Sequence, residues 1–124
     1  VEAFLLTMHS RLLFTVLLVL GGLALWGGLG YLRGRGPSQG YRAGVAIGEL
    51  LLLAQALLGL GLLLYGHQPA RLALHLVYGL VAVLTLPGAA LYTRGRDPRG
   101  TLLVYSLACL FLCAIALRAL QTAR

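Results

Sequence analysis

Few side chains in this 124-residue chain could do chemistry. They are the histidines His9, His67 and His75, the carboxylate Glu49, the amide Gln55 and the thiols Cys109 and Cys113. Imidazole is the ordinary axial ligand of haem iron held between membrane helices, which makes the histidines the first candidates. His9 and His75 stand near the starts of two long apolar runs, and His67 lies in a connection between runs. Beyond His75 follow Gly79, Ala82 and Ala89, a narrow face of small residues that could accept a flat macrocycle. Ordinary helix packing asks for the same face. Two readings stand side by side: interfacial histidines turned to water or headgroups, and haem ligation by His75 with His9, or with His67 as partner.

Glu49 lies six positions past Ala43, about 9 Å along a helix, where a carboxylate needs a partner. Pairing with a loop arginine such as Arg42 is the structural reading, and a proton or cation site is the functional one. Gln55 falls about 18 Å from the same end, near the bilayer centre. It shares a stripe with Gly48, Gly59 and Gly66, as a helix-packing amide would. Its sharper role is to orient a cofactor. Cys109 and Cys113 are one turn apart, with Ser106 and Ala116 on the same face. At that spacing Cβ atoms are about 5 to 6 Å apart, too far for a disulfide, so they read as buried packing residues.

The elements that must position these groups are set by hydropathy. The chain is 60% hydrophobic and 10% charged, with 10 Lys+Arg against 3 Asp+Glu, and every basic residue is Arg. Such a chain cannot cover a soluble domain with charge. The arginines cluster in short loops and not on one polar face, so nucleic acid is not an expected partner despite the net charge of +7. Four apolar runs cover roughly 3–32, 43–65, 72–93 and 101–120. About 20 helical residues cross a bilayer, and the period-two alternation of a membrane barrel is absent. The expected fold is all-α: a single domain, a four-helix up-down membrane bundle. The first run is too long for a secretory signal and lacks its cleavage site, so it reads as a span. Val1 is consistent with a GTG start or a removed leader, and Met8 is an alternative start.

Two stretches repeat one pattern, "YLRGRGP" from Tyr31 and "YTRGRDP" from Tyr92. Each closes an odd-numbered span. Tyr31 and Tyr92 suit the headgroup level, Arg33, Arg35, Arg94 and Arg96 suit lipid phosphates, and Pro37 and Pro98 stop a helix from continuing. Convergence on good turn residues and tandem duplication of a hairpin both explain the repeat. Trp26 and Tyr41 extend the same aromatic level, with Tyr65 and Tyr78 towards the other face. The two loops after the odd spans hold six arginines against four elsewhere, so the positive-inside rule puts them in the cytoplasm and both termini outside. Used as a ruler, the repeat places His9 22 positions before Tyr31 and His75 17 before Tyr92, a mismatch of about 7.5 Å in height.

No phosphate-cradling loop, nucleophile elbow or zinc-protease pair is present, and the loops are too short for a site outside the membrane, so an autonomous enzyme is not expected. The segments "HSRLLFTVLLVL" from His9 and "RGRGPSQGYRAGVAIGELLLLAQALLGLGLLLYG" from Arg33, with His75 opening the third span, resemble a group of small bacterial four-helix membrane proteins labelled cytochrome b-like. The resemblance covers the first three spans. It singles out His9, Gln55 and His75 and implies a b-type haem. The expected role is a small accessory subunit of a larger respiratory or photosynthetic complex in a bacterial inner membrane, in contact with lipid and other membrane subunits. A stand-alone electron carrier and a small transporter using Glu49 are the alternatives, Pro87 in the third span serving the latter.

Overall fold

The computed structural model describes the backbone of residues 1–123 and the side chains of residues 1–121. They form four α-helices: α1 Glu2–Leu32, α2 Gln39–Leu64, α3 Leu72–Tyr92 and α4 Pro98–Ala123. No strand occurs among the described residues. All four helices are long and apolar enough to cross a membrane. Short connections make sequence neighbours antiparallel. α1 packs on α2 and α4, α3 packs on α4 and, over a smaller contact, on α2. Helices α1 and α3 are therefore diagonal across a four-membered ring.

Two helices start earlier than hydropathy predicts, and caps explain both. Ser38 accepts a 3.0 Å bond from the Tyr41 backbone N–H and starts α2 at Gln39. Asp97 accepts 2.8 Å from Gly100 N–H, with Pro98 as the first helical residue. Proline at that position loses no helical hydrogen bond, so Pro98 opens a helix instead of merely closing the previous one. The early start of α2 also moves Tyr41. Expected among the interfacial aromatics, it is buried, its hydroxyl donating 3.1 Å to the Leu23 carbonyl. Its ring meets Trp26 and Tyr105 edge-on, at 5.2 and 6.4 Å. Gly27 makes the room: a Cβ there would lie 2.6 Å from the Tyr41 oxygen.

The core runs down the ring's axis through Val16, Leu20 and Leu23 of α1, Leu52 of α2, Leu86 of α3 and Leu102, Cys109 and Leu112 of α4. Ser106 ties α4 to α1 by donating 2.7 Å to the Ala24 carbonyl, a bond whose alternative in an apolar core is an unpaired hydroxyl. Both cysteines carry free thiols, Cys109 fully buried and Cys113 partly. α4 is the most buried helix and α3 the least. Pro87 lies within the continuous α3.

Candidate functional site

His9 of α1 and His75 of α3 come from diagonal helices and meet in the ring, with centroids 6.5 Å apart and planes inclined by 66°. The mismatch in height that the repeat implies is absorbed. Arg99, in the first turn of α4, reaches the Tyr31 carbonyl at 2.8 Å, so the start of α4 is level with the end of α1. Ala119, 20 positions or about 30 Å further along α4, contacts His75. His9 lies about 33 Å from Tyr31 by the same measure, so the two histidines are nearly level. The two copies of the repeat are the unequal element: α3 ends short, and residues 93–97 make up the difference.

Each imidazole is positioned by a third helix. His75 Nδ1 lies 2.9 Å from the Ala119 carbonyl, which can only accept, so Nδ1 carries the proton. The His9 ring packs against α2 at Gly59, where a Cβ would sit 3.3 Å from Cε1. Gln55, one turn before Gly59, donates from Nε2 to the His9 carbonyl at 2.8 Å. His9 Nδ1 and Gln55 Oε1 are buried with no hydrogen-bond partner among the described residues. All three residues singled out by the sequence thus form one group.

His9 and His75, whose rings lie 6.5 Å apart, are the residues that would hold the iron of a haem. Small residues flank the pair: Gly59 beside His9 and, one turn beyond His75, Gly79, whose added Cβ would meet no heavy atom within 4 Å. Among the described residues no group of three His, Cys, Asp or Glu gathers, so a tetrahedral metal site has no counterpart here.

His67, the third histidine, contacts the Glu2 carboxylate and ties the 65–71 connection to the start of α1. Both side chains are exposed, so the pair adds little stability. Glu49 does not join the histidines. Nor does it pair with Arg42: no arginine lies within ion-pair distance of a carboxylate among the described residues, and Glu49 Oε1 is buried without a partner.

At the opposite end the two repeat copies lie side by side, with Gly36 packed on Pro98. Gly34 and Gly95 share a left-handed backbone, φ +72° and +74°. After α1 this produces paired bonds, Arg35 N–H to the Gly30 carbonyl and Gly34 N–H to that of Tyr31, which close the helix. Each tyrosine carries an arginine on its ring whose Nε–H donates to that tyrosine's own carbonyl. Arg96 does so for Tyr92, at 4.2 Å from the ring centroid, and Arg99 for Tyr31, at 4.3 Å. Arg99 was not a candidate in the sequence; its partner is 68 positions away and no local spacing reveals it. Arg33, Arg35 and Arg94 are exposed at the loop surface.

Comparison with known protein families, with curated proteins and with solved structures finds no match for this chain.

Proposed function

We propose that the chain is a small multi-pass membrane subunit that holds one b-type haem between His9 and His75, serving electron transfer within a larger respiratory or photosynthetic assembly. The observation that carries this reading is the meeting of His9 and His75 at 6.5 Å across the diagonal of the bundle. Haem would supply a one-electron couple, and His9 and His75 would hold its iron beside the small residues Gly59 and Gly79. Ala119 fixes the tautomer of His75, and Gln55 and Gly59 seat His9. The subunit role is supported by the outer surface. Large apolar side chains such as Phe14, Leu18, Leu57 and Leu80 are exposed on three helices, leaving that surface to lipid or neighbouring helices.

A reduced-minus-oxidised optical spectrum of the purified protein tests the haem. The expected result is a b-type band in the wild type, lost in His75→Ala and in His9→Ala. A wild type without the band after expression with ample haem would end the idea. Purification as a lone monomer that keeps its haem would move the protein from subunit to stand-alone carrier. The proton-pathway reading has its own observation, the partnerless buried Glu49 Oε1. It requires proton flux in liposomes that Glu49→Gln abolishes.

A further inference from the structure

The end of the molecule remote from the histidines carries six arginines, Arg33, Arg35, Arg42, Arg94, Arg96 and Arg99, with one carboxylate among them, Asp97. That carboxylate is engaged, capping α4 through Gly100. Between the start of α2, the end of α3 and the start of α4 lies a cavity of about 440 Å³. Three of the arginines line it: Arg42 from α2, and Arg94 and Arg96 from the 93–97 connection. Its threonine hydroxyls are already committed, Thr93 donating to Ala89 and Thr101 to Asp97. The groups left to meet a ligand are the guanidiniums and the Tyr105 hydroxyl. Arg96 is held in place, its Nε donating to the Tyr92 carbonyl at 3.1 Å and its Cζ lying 4.2 Å from the Tyr92 ring centroid. The Arg42 and Arg94 guanidiniums make no hydrogen bond or ion pair among the described residues, their backbone N–H groups alone being engaged.

Three guanidiniums lining one cavity from two chain segments, with no carboxylate among the lining residues, suit the charge and donor needs of a phosphate group. We propose that this cavity is a binding site for the headgroup of a single anionic phospholipid, held through its phosphate by Arg42, Arg94 and Arg96. Free phosphate shares that chemistry, but the location favours lipid. The cavity sits at the end of the helices, reaches Ala90 on α3, and adjoins the α2–α3 seam, the smallest contact in the bundle, where acyl chains can lie. A second cavity of about 310 Å³ at the same end is lined by Arg33 and Arg35, which come from one loop only. The proposal rests on the membrane-spanning reading of the helices and not on the haem.

Native mass spectrometry of the protein in a non-ionic detergent, with phosphatidylglycerol or phosphatidylcholine added, tests the site. Wild type is expected to retain one phosphatidylglycerol in at least about tenfold preference to phosphatidylcholine. The Arg42→Gln/Arg94→Gln variant should lose that preference, while Arg33→Gln/Arg35→Gln, equal in charge removed, keeps it. Equal loss in both variants would show unspecific attraction and overturn the proposal, as would equal retention of the two lipids. Inorganic phosphate at millimolar concentration should not displace the lipid; displacement would assign the cavity to free phosphate instead. If the double variant does not fold by circular dichroism, Arg94→Gln alone replaces it under the same criteria. Recovery of wild type from the soluble fraction of a detergent-free lysate would sink the membrane reading itself, before any lipid is added.

Discussion

A buried polar atom without a partner costs about 1 to 3 kcal/mol, and the described residues include three: His9 Nδ1, Gln55 Oε1 and Glu49 Oε1. Two of them belong to residues joined by one hydrogen bond, Gln55 to the His9 carbonyl, where a second imidazole also arrives. A pair built only for packing would be cheaper as two leucines, so the cost points to use. Gly59 offers a way to disturb the pair without touching its donors. A Cβ there lies 3.3 Å from His9 Cε1, which a shift of a few tenths of an ångström relieves, whereas a longer side chain must evict the ring. Gly59→Ala is expected to keep the haem band and Gly59→Leu to lose it, with helical circular dichroism unchanged in both. A band unaltered in Gly59→Leu would mean that His9 is not seated on α2 as described. Tyr41 makes a purely structural contrast. Removing its hydroxyl in Tyr41→Phe deletes a buried bond to Leu23 and should lower stability by about 0.5 to 1.5 kcal/mol, read from thermal unfolding in detergent, with no change in the spectrum.

At the scale of the elements, helix ends separate what hydropathy could tell from what it could not. The four helices were legible as apolar runs long enough to cross a bilayer, because that signal is summed over twenty or so residues. The starts of α2 and α4 were not, because they depend on one cap each, Ser38 and Asp97, inside loops that look merely polar. That small error put Tyr41 on the wrong side of the helix surface. The histidines were legible as residue types, and joint ligation by His9 and His75 was one of two readings; their level meeting was not, because the repeat used as a ruler set them about 7.5 Å apart in height. The repeat was taken as level in both copies, while α3 stops short and the 93–97 connection covers the remainder. What the repeat does share is its glycine. Gly34 and Gly95 hold φ near +70°, where a Cβ is strained whatever the space around it. Gly34→Ala and Gly95→Ala should each cost about 1 kcal/mol in thermal unfolding. Gly88→Ala, in α3 with nothing within 4 Å of the new methyl, should be neutral or stabilising. Equal effects at all three positions would contradict the left-handed turns.

The whole molecule is asymmetric in charge as well as in packing. Its histidine end carries Arg11, Arg71 and Arg118, and the opposite end carries six arginines in and beside two short connections. Connections of this length fall under the positive-inside rule, which counts Arg near the span ends and disregards the acidic residues. The rule predicts that the six-arginine end faces the cytoplasm and the histidine pair the outer surface. Labelling decides this. Cys109 and Cys113 are first changed to Ala; Cys113 is partly buried and Cys109 packs tightly, so circular dichroism must show the helices intact before the result is read. In that background Gln68→Cys marks the 65–71 connection and Ser38→Cys the cap of α2, both exposed positions. An impermeant maleimide applied to intact spheroplasts should modify the thiol at position 68 and reach the one at position 38 only after permeabilisation. The opposite pattern would invert the protein and would move the phospholipid cavity to the outer leaflet and the histidines to the cytoplasmic side. Labelling at both positions without permeabilisation would exclude four spans in one orientation, since α2 alone separates the two sites and must cross the bilayer between them.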